Sequence, residues 1–458
     1  MAVSSVVWKR EIQEWHRLDA EFWRPEYREA YERVSKWSRA YCLGEIAKRM
    51  RKGIFYILAD EYVQDGVPFL RVSNVKSILL DTNEIAYISD ERNRQDKKTC
   101  FGKGDVVLNK TGDIGAAVID LPACNISQDL IGLEIADKDK FNSYYLTTFL
   151  NTKYGQLQLR RWFQGQVQMH LALTDARKIV VPFPTQDDQG RVERMIASAA
   201  REANKSECLY FQAERMVLDE VGWDEAALSE RKPWTVPLSR ARQVQRLDAE
   251  HFRPRYDGLI AHLKRTGKAK RLEEIATHIK RGLQPDYVEN GEVVVVASQH
   301  LGRWLLDVDA TGRTDTRFWA EKKAARIERG DLLIYATGAP YVGRTNWWLE
   351  DRKAVASNHV TILRTTDSVA LQGYLQVFLS SPVGMWQAAQ HQRGSNQQEL
   401  YPEDIGRFLI YLPSQEFQQK VANLVQQSYQ ARQKAKAVLG EAKRNVEALI
   451  EGAAPRGP

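Results

Sequence analysis

Short apolar runs that end in polar turns recur along the chain and predict buried strands. VPFLRVSNV at 67–75 and EVVVVASQH at 292–300 are rich in β-branched residues and carry Ser plus an amide near their ends. Such a run is typical of a buried strand that enters a loop. KGDVVLNKTGDIG at 103–115 and RGDLLIYATGAPY at 329–341 each hold an apolar strand followed by a Thr-Gly turn. The pattern predicts strands in two similar sets.

A second spacing of apolar residues predicts a long helix at the end of each half. Eight of ten residues are apolar at the 4-3 spaced positions 417, 421, 424, 428, 431, 435, 438, 442, 445 and 449. A weaker seam in the first half starts at Asp188 and includes Val192, Met195, Ala199, Leu209, Ala213 and Met216. Each helix covers about 34 residues, hence roughly 50 Å. We expect the two helices to pair as an antiparallel coiled coil, although each could instead lie on its own domain.

The two halves also share sequence. RLDAEFWRPEY at 17–27 and RLDAEHFRPRY at 246–256 match at eight of eleven positions, with an offset of 246 − 17 = 229. LGEIAKRMRKG at 43–53 and LEEIATHIKRG at 272–282 keep this offset. Further along the chain, the strand run at 67–75 pairs with that at 292–300 at an offset of 225, and the run at 103–115 pairs with that at 329–341 at an offset of 226. Loop insertions in two copies of one fold would produce such small changes of offset.

These patterns predict an α/β (α+β) fold with an internal duplication. The expected order is a globular domain at 1–185, a helix at 186–222, a second globular domain at 223–414 and a second helix at 415–458. Each domain is expected to carry its own sheet and to be followed by its long helix.

Composition adds few constraints. The 458 residues carry a net charge of +7 and a pI near 9.0, which hints at a polyanionic partner. The absence of an apolar run of about 18 residues and of a signal peptide argues against a membrane location. The four cysteines show no CxxC spacing, so the expected location is the reducing cytoplasm.

Catalytic motifs are missing from the sequence. The GxxxxGK[ST] loop of ATP motors is absent, and the eight histidines have no HExxH or HxH spacing. Pro285–Asp286 is followed by Glu292, but Val293–Val294 stand where a nuclease site needs a lysine. These observations favour a protein without catalytic activity or a metal site.

The ordered set of motifs resembles the specificity subunit of type I restriction–modification systems. The shared features are the repeated RLDAE-aromatic-x-P-x-Y phrase, the PFLR-x-SN strand, the KGD and Thr-Gly hairpin, the G-x-x-Q loop and the Pro-ended strand before each helix. The resemblance implies two target recognition domains, at 1–185 and 223–414, and two conserved spacer helices. The pair of helices would hold the domains apart and dock two modification (methyltransferase) subunits. The complex would read a bipartite site in double-stranded DNA.

The resemblance also implies which cofactors and partners to expect. This chain would hold no cofactor, while S-adenosylmethionine and ATP with Mg²⁺ would bind to partner subunits. Restriction (motor) subunits would join through the complex, and no membrane partner is expected.

Candidate DNA-binding residues lie in turns and at strand ends. Basic pairs before a glycine suit phosphates, Thr-Gly turns allow close backbone approach, and Gln, Asn and Arg pair with base edges. The candidates in the first half are Arg51, Lys52, Ser73, Asn74, Lys110, Thr111, Gly112, Gln166 and Gln168. Those in the second half are Lys280, Arg281, Ser298, Gln299, Thr337, Gly338, Tyr341, Arg344, Arg393, Asn396 and Gln397. A plain hairpin turn, a solvated helix end or polar surface would explain the same residues.

Two other functions stay open at this stage. The chain could be a self-sufficient DNA modification enzyme with diverged motifs, which S-adenosylmethionine binding would reveal. It could also be a DNA-binding scaffold of another defence complex, which the neighbouring genes would reveal.

Overall fold

The structure is a computed structural model that describes residues 6–57, 59–112, 114–165, 170–228, 233–304, 306, 308, 311–365, 369–394 and 397–452. It divides into two compact units. The first contains residues 1–203 and 433–458, and the second contains residues 204–432. Each unit therefore takes in part of both long helices.

The elements of the first unit combine helices and strands, as the predicted α/β (α+β) fold requires. Its helices are α1 (Lys9–Trp15), α2 (Pro25–Ser35), α3 (Leu43–Ile46), α4 (Asp90–Gln95), α5 (Ser143–Leu150), α6 (Lys153–Trp162), α7 (Leu173–Ala176) and the start of α8 (Gln186–Val221). Its strands are β1 (Ala40–Cys42), β2 (Ala47–Lys52), β3 (Tyr62–Val63), β4 (Val67–Leu70), β5 (Ala86–Ile88), β6 (Cys100–Gly102), β7 (Val106–Asn109), β8 (Ala116–Val118), β9 (Ala123–Ile126), β10 (Leu130–Ile135), β11 (Phe163–Gln164), β12 (His170–Leu171) and β13 (Val180–Pro182).

The second unit repeats this order. Its helices are α9 (Leu238–Val244), α10 (Pro254–Arg265), α11 (Leu272–Ile275), α12 (Thr316–Glu321), α13 (Val369–Ser380), α14 (Pro382–His391), α15 (Pro402–Gly406) and the start of α16 (Gln415–Gly452). Its strands are β14 (Ala269–Arg271), β15 (Ala276–Arg281), β16 (Val293–Val296), β17 (Gly312–Thr314), β18 (Arg326–Ile327), β19 (Leu332–Tyr335), β20 (Thr345–Trp347), β21 (Ala354–Ala356), β22 (Val360–Thr365) and β23 (Leu409–Tyr411).

The sheets confirm the duplication. In the first unit an antiparallel sheet has the order β2-β10-β7-β8, and in the second unit the order is β15-β22-β19-β20. A mixed sheet has the order β3-β5-β4-β9-β6 in the first unit and β17-β16-β21-β18 in the second. In both mixed sheets one central pair is parallel, β4 with β9 and β16 with β21. Apart from β3, which extends the first mixed sheet by one strand, strand order and direction match in both kinds of sheet and establish two copies of one fold.

The antiparallel sheets are buried on both faces, which explains their continuous apolar runs. Val106 and Leu108 point into the core formed with the helices, while Val107 between them packs in a second apolar cluster. Leu332 and Leu333 divide in the same way in the second unit.

Repeated buried hydrogen bonds explain why some polar residues occur in both copies. The hydroxyl of Tyr145 donates to the carbonyl of Pro182 at 2.7 Å, and that of Tyr374 donates to the carbonyl of Tyr411 at 2.6 Å. Both tyrosines lie on the helix that follows the antiparallel sheet, and both are fully buried. Each bond ties that helix to the strand leading into a long helix.

The long helices are present as predicted, but part of the predicted apolar seam is wrong by one position. In α8 the predicted Val192, Ala199 and Ala213 are buried, whereas Ile196 and Val217 are buried in place of the predicted Met195 and Met216.

The seam of α16 departs in a similar way near its end. Val446 and Ile450 are buried, while the predicted Asn445 and Leu449 are half-buried. An α-helix drifts relative to a strict seven-residue repeat. In addition, Val446 and Ile450 pack in the apolar core of the first unit, so they do not serve only the pairing of the helices.

The two helices contact each other within each unit, and in the first unit they run antiparallel, because Lys434 meets Glu202 while Asn445 meets Met195. Asn445 Nδ2 donates to Met195 Sδ at 3.4 Å in the first unit. In the second unit the hydroxyls of Ser206 and Ser428 lie 3.1 Å apart. The antiparallel direction agrees with the expected pairing, while supercoiling of the helices stays a prediction.

Candidate nucleic-acid interface

Three strand ends meet at one edge of the antiparallel sheet in the first unit. Asn109 at the end of β7 pairs with Leu130 at the start of β10, and Gly53 after β2 donates to the Leu130 carbonyl at 3.2 Å. The exposed side chains of Arg51 and Lys52 lie on the last residues of β2. The basic pair and the turn after β7 are therefore positioned at the same edge.

The turn after β7 joins a second loop at this edge. Lys110 donates its backbone N–H to Asp129 and accepts from the N–H of Leu171, both at 2.8 Å. Thr111 forms an isolated antiparallel bridge with His170, and Gly112 takes the left-handed conformation with φ 69°. The predicted Gln166 and Gln168 precede His170 in the sequence and lie outside the residues that the structure describes.

The second unit makes the same arrangement with different residues. Thr337 is the counterpart of Thr111 and bridges Glu399, the counterpart of His170. Gly338, with φ 113°, donates to the Gln398 carbonyl at 2.9 Å. Gln397 is exposed. Asn396 lies outside the described part of the chain.

Two predicted arginines of the second unit have internal partners. Arg281 Nη2 donates to Thr337 Oγ1 at 2.8 Å and lies 3.7 Å from the Glu399 carboxylate. Arg393 Nη2 lies 3.0 Å from the buried carboxylate of Asp404. Arg281 thus holds the turn against the loop, and Arg393 anchors the base of the loop. Contact with DNA would require the two guanidiniums to share or leave these partners.

Asp404 sets the charge at the base of the loop that contains Gln397 in the second unit. Its carboxylate also accepts from Arg407 Nη1 at 3.3 Å. Burial lowers the pKa of the neighbouring His391 to about 4, so this imidazole is neutral at physiological pH. The cluster therefore combines one buried carboxylate with two guanidiniums.

The remaining predicted residues of the second unit lie around the same turn. Lys280 is exposed at the end of β15. The guanidinium of Arg344 stacks 3.6 Å from the ring centroid of Tyr341, and both residues are half-buried.

The loop after β4 contains two predicted residues, Ser73 and Asn74, which differ in their exposure to solvent. Asn74 is buried, and its amide accepts from the Arg71 N–H at 2.9 Å and donates to the Asp81 carbonyl at 2.8 Å. Ser73 beside it is exposed. Asn74 thus shapes the loop, while Ser73 keeps part of its surface in solvent.

The structure also corrects the predicted alignment of this loop. Strands β4 and β16 are offset by 226 positions, because Val67 corresponds to Val293. The offset of 225 is therefore wrong by one, and Gln299 is the counterpart of Ser73, not of Asn74. Gln299 is exposed, whereas His300 is buried like Asn74. Ser298, which precedes them, is half-buried.

Exposed aromatic residues at this edge were missed by the sequence reasoning. Phe55 and Tyr56 are 74% and 64% exposed, and Lys52 Nζ lies 6.0 Å from the Phe55 ring centroid. Arg92 Nη2 holds the backbone of this loop through the Tyr56 carbonyl at 2.9 Å. In the second unit Tyr287 is 56% exposed in the corresponding loop. The only sequence feature that could have indicated these exposed rings is an apolar run directly after a basic pair and Gly53. Such a run is equally typical of a buried strand.

Other kinds of site find little support in the described residues. No cluster of three or more His, Cys, Asp or Glu side chains among them could hold a metal ion. None of their helices combines the length and the apolar character needed to cross a membrane.

Comparisons with known proteins identify the domain that carries this edge. Residues 35–197 match the family model described as "Type I restriction modification DNA specificity domain". No curated protein sequence matches the chain. The first unit is therefore a DNA specificity domain of the type I restriction–modification class.

Solved structures of specificity subunits are similar over most of the chain. The type I S subunit from M. genitalium is 11% identical, with 90% of this chain and 94% of that chain covered and a TM-score of 0.38. The HsdS subunit from Thermoanaerobacter tengcongensis is 15% identical, with 92% and 96% covered and a TM-score of 0.28. A chain from a study titled "Structural basis underlying complex assembly and conformational transition of the type I R-M system" is 15% identical, with 90% and 96% covered and a TM-score of 0.29.

The duplication relates the second unit to the segment that the family model matches. The second unit repeats both sheets of the domain that the family model matches. Residues 35–197 thus match a type I restriction–modification DNA specificity domain, and the second unit repeats the fold of that segment.

Proposed function

We propose that each unit reads one half-site of a bipartite target in double-stranded DNA. One observation carries this proposal: in both units the Thr-Gly turn and the Gln-containing loop meet at the same edge of equivalent sheets, but with different side chains. A shared scaffold with different contact residues is the arrangement expected of two readers with different half-sites.

The two edges offer different chemistry to DNA. In the first unit Arg51 and Lys52 are exposed beside two exposed aromatic rings, a combination that suits phosphates and base or sugar surfaces. In the second unit Arg281 and Arg393 are paired with carboxylates, while Gln397 and Gln299 are exposed. A glutamine amide is suited to bidentate pairing with adenine in the major groove.

The catalytic reactions would belong to other subunits. Methylation with S-adenosylmethionine would belong to two modification subunits, and ATP with Mg²⁺ would serve the restriction subunits. The described thiols of Cys42, Cys100, Cys124 and Cys208 form no disulfides, which suits a cytoplasmic location. The role of the long helices in setting the unread spacer stays a prediction from the sequence.

Gln397→Ala should relax base preference in one half-site only, by about 10-fold at one position, because a bidentate contact discriminates by roughly 1–3 kcal/mol. Selection of bound sequences from a randomised DNA library measures this preference. Gln427→Ala, an exposed glutamine of α16 in the same unit, is the matched control. An equal loss of affinity on every sequence would instead make Gln397 a phosphate contact or a structural residue.

The double variant Phe55→Ala/Tyr56→Ala should weaken binding to the target by about 30-fold or more, since removal of each inserted or stacked ring costs roughly 1–3 kcal/mol. The half-site of the second unit should keep its base preference. Trp8→Ala removes another exposed ring of the first unit, 63% exposed, and should leave affinity unchanged. If both variants bind like the unchanged chain, the rings do not contact DNA.

A further inference from the structure

A carboxylate lies at the edge that is proposed to read DNA in the second unit. Glu399 is half-buried beside the Thr-Gly turn, and its backbone forms an isolated antiparallel bridge with Thr337. DNA phosphates repel a carboxylate, so this group weakens binding to DNA of every sequence unless it gains a specific contact. An acidic side chain at this position therefore needs a functional or structural reason.

The fold of the loop does not require the carboxylate. In the first unit His170 takes the place of Glu399 and bridges Thr111 in the same way. The residue after the bridge donates its N–H to the carbonyl directly before the Thr of the turn, at 2.8 Å in the first unit and 2.9 Å in the second. These contacts involve backbone atoms only, so the same loop forms with an imidazole or with a carboxylate.

Tyr401 orients the carboxylate. Its hydroxyl donates to Glu399 Oε2 at 2.7 Å. The guanidiniums of Arg281 and Arg393 lie 5.4 Å and 5.6 Å from the centroid of the Tyr401 ring. The first unit has Ala172 at the position of Tyr401, so this support is specific to the second unit. A side chain that is already held in place loses less freedom when it binds a ligand.

The carboxylate keeps capacity for a further hydrogen bond. Glu399 Oε1 lies 3.7 Å from Arg281 Nη2, which is beyond hydrogen-bond distance, and this nitrogen donates instead to Thr337 Oγ1 at 2.8 Å. A carboxylate can accept about four hydrogen bonds, and Tyr401 supplies one of them. Glu399 can therefore accept from a donor on DNA without losing its contact with Tyr401.

The chemistry of the major groove selects one base for such an acceptor. Cytosine presents its N4 amino group there, which suits a carboxylate. Thymine presents a carbonyl oxygen and guanine presents two acceptors, so both would place like partial charges against the carboxylate. Adenine also has an amino group, but its neighbouring N7 acceptor would face the same carboxylate. Cytosine thus gains most from an acidic side chain at this edge.

We propose that Glu399 reads a cytosine in the half-site of the second unit by accepting a hydrogen bond from its N4 amino group, with Tyr401 as the residue that positions the carboxylate. This inference rests on the proposed function and names a base that the second edge selects. Arg281 offsets the negative charge of Glu399 close to the phosphates. The histidine of the first unit offers different chemistry at the equivalent position.

The test is selection of bound sequences from a randomised DNA library by the full chain and by Glu399→Gln. The variant keeps the size of the side chain and removes its charge. It should lose about 10-fold of the preference for a C·G pair at one position. Its affinity for DNA without the target should stay equal or rise, because one repulsive charge is gone. Glu416→Gln, an exposed glutamate of α16 in the same unit, makes the same change in net charge and should leave base preference unchanged.

Tyr401→Phe tests the same position through the orientation of the carboxylate. This variant removes the hydroxyl and keeps the ring beside the two guanidiniums. It should lower the preference for the same C·G pair by about threefold, because one hydrogen bond to Glu399 is lost. It also provides the test if Glu399→Gln proves too unstable to measure.

Exchange of residues 1–185 identifies the half-site of the second unit as the one that is retained. The inference is overturned if that half-site contains no C·G pair, or if its base preference is unchanged in Glu399→Gln. An equal loss of affinity on every sequence would make Glu399 a structural residue and would also overturn it. In these cases the two-reader proposal stands. If the unchanged chain selects no sequence, the proposed function fails and this inference fails with it.

Discussion

Replacing Arg51 and Lys52 together by glutamate should weaken DNA binding about 100-fold at physiological ionic strength. Both side chains are exposed at the sheet edge where the turn and the Gln-containing loop meet. The plot of log affinity against log salt concentration has a negative slope, and its magnitude should decrease by about one for each phosphate that is no longer neutralised. Titration of DNA at several salt concentrations measures both the affinity and this slope.

The control for this variant uses the same sheet. Lys48 is 68% exposed at the opposite end of β2, and Lys103 is 73% exposed near that end. Lys48→Glu/Lys103→Glu makes the same change in net charge away from the proposed interface. Equal losses for the two double variants would show that only net charge matters and would remove this edge from the interface.

Gly53→Ala should destabilise the first unit by about 3 kcal/mol or more and abolish its half-site preference. A Cβ at Gly53 would lie 2.0 Å from the Ile126 carbonyl oxygen and 2.3 Å from that of Ser127. Both obstacles are backbone atoms at the reading edge, so the strands themselves would have to move. Denaturant unfolding measures the loss, and DNA selection should show the second half-site retained.

Gly190→Ala is the matched control for this substitution. Gly190 lies in α8, where a Cβ would meet only the end of the Arg194 side chain at 3.4 Å. Alanine should stabilise the helix there by roughly 0.5–1 kcal/mol. If Gly53→Ala unfolds like Gly190→Ala, the close approach of the β2 end to the neighbouring loop is not a constraint on the fold.

Much of the fold could be predicted because the sequence contains an internal repeat. The phrase at 17–27 and the strand runs such as 67–75 recur in order, so two copies of one fold followed from the sequence. The long helices α8 and α16 followed from the spacing of apolar residues. The buried face of each helix did not, because Val217 and Ile450 pack into the globular cores, and a helical repeat does not reveal that partner.

The candidate interface was predictable in position but not in the role of each side chain. The Thr-Gly turn and the Gln-containing loop were both identified, and the structure brings them together in each unit. The pairing of Arg281 with Glu399 joins residues far apart in sequence, so no local pattern reveals it. The same holds for the exposure of Phe55, because an aromatic residue in an apolar run usually indicates burial.

The most direct test of the two-reader account is sequencing of DNA methylated by the chain with its modification subunit. The account predicts a bipartite methylated motif with a fixed gap of several base pairs. Exchange of residues 1–185 for the corresponding domain of another specificity subunit should then change only one half of that motif. A continuous motif, or a change in both halves after the exchange, would contradict the claim that each unit reads its own half-site.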